Sequence, residues 1–216
     1  MRLRYLGHSC FQWILENGVR IVSDPYTRVG YSLPTGLLAD VITISHEHFD
    51  HNYAEGVVKT SQIVRGAGAH TDVGFPLVGI ESAHDGKGGA LRGKNTIYKF
   101  CVENVWFCHL GDLGEAYSER LAEQIGDVDV LLIPVGGTYT IDARQAAEYV
   151  RKLAPKVVIP MHYRPKDGTL DIDGVEPFLK EYSQTDIVRI EGEWALDHAT
   201  IGEYFGKIVV MDRMEK

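Results

Sequence analysis

Cysteine is scarce in this 216-residue chain: there are three, Cys10, Cys101 and Cys108, with no CxxC spacing. An odd, scattered set excludes a disulfide-stapled scaffold and a thiolate metal site of the usual spacing. If TIYKFCVENVWFCH is a hairpin turning at Glu103-Asn104, Cys101 lies opposite Trp106 and Cys108 opposite Lys99. The two cysteines then share a face only diagonally and serve as small core hydrophobes. Long apolar runs are missing too; none approaches the ~20 residues of a membrane helix. The N-terminal MRLRYLGHSCF enters alternating residues directly, without a signal-peptide core, so the expected location is cytoplasmic. Positive charge is also in deficit, 22 Lys and Arg against 30 Asp and Glu, a formal charge of −8. Nucleic acid and acidic membrane surfaces need a basic face and are not expected as partners.

Glycine is plentiful: 23 of 216 residues, against a typical ~7%. That points to tight loops and close backbone approaches. No repeat, charge block or low-complexity linker divides the sequence, so residues 1–216 read as one domain with one sizeable core. The composition leaves homo-oligomer formation open.

The first half reads as short strands, RLRYL, FQWIL, VRIV and VITI, separated by glycine, proline and asparagine. Further strand-like runs are PLVGIESA and residues 62–65, 96–102, 105–108, 130–135, 157–160, 187–190 and 208–211. Helices are expected after Thr140 as N-cap, from Asp173 with Glu176 three residues on, and over Ser118 to Ile125. The irregular stretch from Asp24 to Asp40 is long enough to suggest a functional loop, one that shapes access to a site. Strands dominate with helices interspersed, which describes an α/β domain of packed sheets covered by helices.

The segment TISHEHFDHN carries the chemistry. It places His46, His48 and His51 inside six positions with Asp50 among them. An ordinary loop would draw on Gly, Ser, Asn or Lys, whereas imidazole and carboxylate are ligands for divalent metals. The cluster leaves the strand VITI directly, so successive side chains can splay towards two points. His46 and His48 would then serve one metal, Asp50 and His51 another. His84, Asp112 and His162 each stand at or just past a strand-like run and supply further donors.

The pattern His-x-His-x-Asp-His, then His84, Gly111-Asp112 and His162, resembles the metallo-β-lactamase fold superfamily. LGHS, SDP at Ser23–Pro25, LIPVGG and PMHY look more narrowly like its L-ascorbate-6-phosphate lactonase-like branch, which also contains phosphodiesterases such as N-acylphosphatidylethanolamine phospholipase D. The similarity runs from about Arg2 to His162. It implies a four-layer αββα sandwich with the site along the edge where the sheets meet. It also implies His46, His48 and His84 on one metal, Asp50, His51 and His162 on the second, and Asp112 as the bridge.

A dinuclear hydrolase follows, cleaving a small, anionic ester, lactone or phosphodiester by attack of a metal-bridging hydroxide. Asp50 and Asp112 are its catalytic carboxylates. The all-N/O donor set suits two Zn²⁺ ions, with Mn²⁺ or Fe²⁺ compatible on ligand type. Asp24 could hold a ligand histidine from behind, and His109 reads as core or supporting rather than ligating. Candidate substrate contacts are His8, Arg92, Arg164 and Tyr139, with Lys94, Lys166, Tyr26 and Tyr31 nearby in sequence. Two other readings stand beside this one: an iron-dependent oxidoreductase on the same fold, and a metal-stabilised binding domain without catalysis.

Overall fold

Period-two alternation decides which way each strand faces. The computed structural model describes residues 1–59 and 62–214. Its strands are β1 (Arg2–Gly7), β2 (Cys10–Ile14), β3 (Arg20–Ser23), β4 (Val41–Ile44), β5 (Gln62–Arg65), β6 (Gly68–Ala69) and β7 (Leu77–Ala83). They continue with β8 (Lys94–Val102), β9 (Val105–His109), β10 (Val130–Pro134), β11 (Val157–Met161), β12 (Ile187–Ile190), β13 (Trp194–Ala195) and β14 (Lys207–Met211). In β2, Phe11 and Trp13 enter the core between the sheets while Cys10 faces away. In β10, Val130 and Leu132 enter that core while Leu131 and Ile133 face the helices.

Two mixed sheets result, six strands in the order β13-β1-β2-β3-β4-β5 and eight in the order β12-β14-β11-β10-β9-β8-β7-β6. Trp13 packs edge-on against Phe100 and Phe107 of the facing sheet, ring centroids 5.1 and 5.6 Å away. The β8–β9 hairpin pairs Cys101 with Trp106 and Lys99 with Cys108. Its turn at Glu103 and Asn104 has both residues at positive φ, as a two-residue hairpin requires. All three cysteines are free.

Strand directions place the functional residues. β1, β3 and β4 run the same way in one sheet, and β7, β9 and β11 the same way in the other. The residues that follow them, His8, Asp24, the His46–His51 segment, His84, Asp112 and His162, therefore gather along one edge of the sandwich.

The helices are α1 (Glu119–Ile125), α2 (Ala143–Leu153) and α3 (Glu176–Leu179). All contribute to the apolar layer on the outer face of the eight-stranded sheet. On the outer face of the other sheet, the covering residues Tyr26, Val29, Leu37 and Ala39 come from the irregular segment 24–40, with a single 3₁₀ turn at Ala54–Gly56. Among the described residues that second outer layer is coil apart from this turn, and Val57, Leu170 and Met214 complete it.

Two helix starts differ from expectation. Asp142, not Thr140, caps α2: its carboxylate accepts from the Gln145 N–H at 2.9 Å, and the Gln145 side chain accepts from the Asp142 N–H at 3.0 Å. The reciprocal pair outcompetes Thr140, whose hydroxyl donates to the Ile141 carbonyl. Asp173 starts no helix; its N–H donates to Gly136 and its carbonyl accepts from Arg164, so α3 begins only at Glu176. Replacing Asp142 with Ala should lower the unfolding free energy by about 1 kcal/mol. Thr140→Ala should cost clearly less in the same denaturant titration, and the reverse order would reject the assignment.

Candidate metal centre

β4 delivers Ser45 to a buried carboxylate. Asp24 Oδ1 accepts from the Ser45 N–H at 2.8 Å, and Oδ2 accepts from the Ser45 hydroxyl at 2.6 Å. The same Oδ2 lies 2.8 Å from His51 Nδ1. Ser45 has spent its proton on Asp24, so its oxygen receives the Nδ1–H of His46, 3.0 Å away. The hydrogen-bond logic sets which nitrogen each ring presents: His46 and His51 turn Nε2 towards the cluster. The turn itself closes through the His51 and Asn52 N–H groups, both donating to the His48 carbonyl.

Asp112 enters from the other sheet. Its Oδ2 lies 3.2 Å from His162 Nε2, 3.3 Å from His84 Nε2 and 3.7 Å from His46 Nε2, and its Oδ1 lies 3.1 Å from His51 Nε2. On one side of it, donor atoms of His46, His48 and His84 lie within 4.8 Å of one another. On the other, those of His8, Asp50, His51 and His162 do the same. All seven residues of the sequence pattern are thus brought together, with Asp112 between two groups.

Small residues allow this convergence. A Cβ on Gly114 would overlap the His84 peptide, and one on Gly136 would overlap the His162 carbonyl. Gly114 of LGDLG and Gly136 of PVGG are therefore required by close approach. His8, Asp24 and His162 are held at φ of 54°, 40° and 51°, a conformation that costs such residues about 1–3 kcal/mol each. Strain concentrated in the cluster must be offset by what the cluster does.

The electrostatics favour a cation. Burial works against a charged His51, but Asp112, Asp50 and Asp24 overcome it and raise its pKa well above the usual histidine value. Burial likewise pushes the Asp112 carboxyl up, and the surrounding histidines pull it well below its usual range. Elsewhere burial dominates: it takes His46 down to about 3 and lowers His84. Neutral imidazole is the ligating form. Four buried atoms, Nε2 of His8, His51 and His162 and Oδ1 of Asp112, have no hydrogen-bonded partner among the described residues although they crowd one space. Groups of this kind are costly unless something binds them, and a divalent cation with N and O ligands fits that need.

The supporting residues divide into those expected and those missed. His109 donates from Nε2 to the Ser9 carbonyl and accepts the Gly111 N–H at Nδ1, so it props the Gly111-Asp112 turn from behind. Asn95 accepts the Asp112 N–H and donates to Ser82 and Leu110, a role with no signal in the sequence. Asp85 gathers four backbone N–H groups, from Lys87, Gly89, Leu91 and Arg92, and so orders the loop after His84. Loss of water raises its carboxyl pKa, but the four donors bring it down to about 2.

The basic candidates are split. Arg92 sits 5.3 Å over the Tyr139 ring and lines a cleft of about 420 Å³ with His46, His48 and Lys94. In that cleft Arg65 pairs with Glu47 and Lys94 with Glu81, while no ion pair is recorded for Arg92 among the described residues. Arg164 and Lys166 line a separate cleft of about 770 Å³ with Tyr31, Arg189 and Arg213. Tyr26 is buried and donates to the Leu6 carbonyl, so it packs. The segment 24–40 also braces the histidine loop: Thr27 N–H donates to Phe49, and Tyr53 N–H to Pro25.

Comparison with known proteins agrees with this picture. Residues 2–162 match the family described as Beta-lactamase superfamily domain. A UPF0173 protein of Pyrococcus furiosus is 31% identical over 204 residues, spanning 84% of this chain and 90% of its own length. A UPF0173 metal-dependent hydrolase of Nanoarchaeum equitans is 28% identical, spanning 76% of this chain and 84% of that protein. A Thermotoga maritima crystal structure, whose name proposes a Zn-dependent hydrolase of the metallo-β-lactamase superfamily, superposes with a TM-score of 0.76 at 35% identity and 97% coverage of both chains.

The Asp24 network makes its own prediction, independent of metal. In chelator-treated protein, Asp24→Ala strands the Ser45 hydroxyl and His51 Nδ1 in the interior and should lower the unfolding free energy by about 3–5 kcal/mol. A shift of the urea midpoint at unchanged slope reads this directly. A cost below about 1 kcal/mol, the scale of a single ordinary hydrogen bond, would mean the carboxylate organises nothing.

Proposed function

The chain belongs to the metallo-β-lactamase superfamily, and we propose that it is a dinuclear metal-dependent hydrolase acting on a small, anionic ester, lactone or phosphodiester. The observation that carries this reading is the placing of Asp112 among four imidazoles, with its own Oδ1 and the Nε2 atoms of His8, His51 and His162 buried and unpartnered among the described residues. His46, His48 and His84 would hold one cation, Asp50, His51 and His162 would hold the second, and Asp112 would serve both. Nitrogen and oxygen donors suit Zn²⁺, and Mn²⁺ or Fe²⁺ share the preference. When bound, such cations lower the pKa of water from about 15.7 to roughly 7 and polarise the scissile oxygen.

The chain's own groups do the rest. Asp24 keeps His51 in its ligating tautomer and, through Ser45, does the same for His46. Asp50 has 13% of its side chain exposed, against 2% for Asp112, so it is the carboxylate positioned to accept a hydrogen bond from an incoming water. Arg92, held over Tyr139 beside His46 and His48, is placed to meet the substrate's negative charge. The lactonase-like branch is the finer assignment that the LGHS and PMHY segments support.

A panel of esters, lactones and phosphodiesters assayed with Zn²⁺, Mn²⁺ and Fe²⁺ tests the reading. Hydrolysis of anionic members above neutral analogues, weakened by salt, is expected. Turnover confined to Fe²⁺ with oxygen would replace it with an oxidoreductase. No turnover alongside metal-dependent stability would replace it with a binding domain. Asp112→Asn keeps the shape but removes the charge between the cations. Bound metal should fall from about two per chain towards one, with activity down at least 10–100-fold. Retention of both metals and near-normal turnover would overturn the bridging role.

A further inference from the structure

His8 belongs to none of the seven pattern positions, yet it is the least expendable-looking residue near them. It follows β1 through the bulged Gly7 and is 1% exposed. Its carbonyl is fixed twice, by the Tyr5 hydroxyl at 3.1 Å and by the His162 N–H at 2.9 Å. Its ring packs against those of His162 and His51, with centroids 4.2 and 4.9 Å away. Nε2 points into the cluster, 3.3 Å from Asp50 Oδ2, and has no hydrogen-bonded partner among the described residues.

We infer that His8 is a further protein ligand of the cation assigned to Asp50, His51, His162 and the shared Asp112. This rests on the dinuclear reading above and adds a donor to it. Neighbouring donor atoms on an ion with bonds of 2.0–2.1 Å stand about 3–3.5 Å apart. The His8–Asp50 separation of 3.3 Å is already in that range, and all four donor atoms lie within 4.8 Å of one another. A substrate contact is the poorer explanation. The exposed members of the cluster are His48 and, in part, Asp50, whereas His8 lies among buried rings. A mere hydrogen bond to Asp50 is also poorer, since the pair lacks the geometry for one.

The consequence is a division of labour. With Asp112 shared, the cation beside His8 would have five protein donors and the other four, so the first has less room for an incoming ligand. The buried cation beside His8 would hold the two sheets together. The one beside the exposed His48 would keep the position that meets substrate.

Loading the protein with Co²⁺ counts the ligands without any assay of turnover. Each coordinated imidazole gives one hyperfine-shifted, solvent-exchangeable N–H proton signal, so the wild type should show six rather than five. His8→Asn, a residue that tolerates positive φ, should lose one signal. It should also weaken the second Co²⁺ at least 100-fold, beyond the 10–100-fold typical of outer partners, and leave the first unchanged. Two bound ions with five imidazole signals would overturn this inference alone, and that count needs no variant to fold. A wild type that takes up no Co²⁺ would sink the dinuclear reading and this inference together.

Discussion

Three carboxylates press on one imidazole. Asp24, Asp112 and Asp50 lie 2.8, 3.1 and 3.9 Å from the ring nitrogens of His51, and the ring is fully buried. Like charges so close in a dry interior repel strongly, and only positive charge between them makes the arrangement tolerable. A proton on His51 supplies one unit of it. Divalent cations supply more, and place it where the unpartnered atoms point. The rest of the edge answers to that requirement: strands of both sheets ending together, glycines admitting the His84 and His162 peptides, and three residues held at positive φ.

What could be read from the sequence was what is local. The HEHFDH spacing, the strand ends before His84, Asp112 and His162, and the hairpin at Glu103-Asn104 all depend on neighbours in the chain. The strands that carry them were legible for the same reason, since alternation is a short-range signal. Asn95 and Asp85 were not legible. Asn95 matters only because β8 lies between β7 and β9, which brings its amide to the Asp112 backbone. Asp85 matters only once the following residues curl back to offer four N–H groups. The cap of α2 failed for a smaller reason, two polar residues competing within one turn.

Charge on the outside is arranged as economically as charge within. A chain at −8 still presents a cation beside the cluster, because glutamates neutralise Arg65 and Lys94 and leave Arg92 stacked on Tyr139. Net charge therefore says little about the field a ligand meets at the cleft. The second cleft, lined by Arg164 and Lys166 together with Tyr31 and Tyr163, shares no lining residue with the first.

The segment from Asp24 to Asp40 couples two properties that enzymes usually keep apart. It seals the outer face of the six-stranded sheet with Tyr26, Val29 and Leu37, and its backbone bonds hold the histidine loop at Phe49 and Tyr53. A lineage diversifying its substrates by loop change could not treat this one as free material, since altering either end loosens core and site at once. Variation would be channelled to the exposed tip at Ser32 and Thr35, while Gly36, at a φ of 77°, stays glycine. The loop would evolve as part of the scaffold.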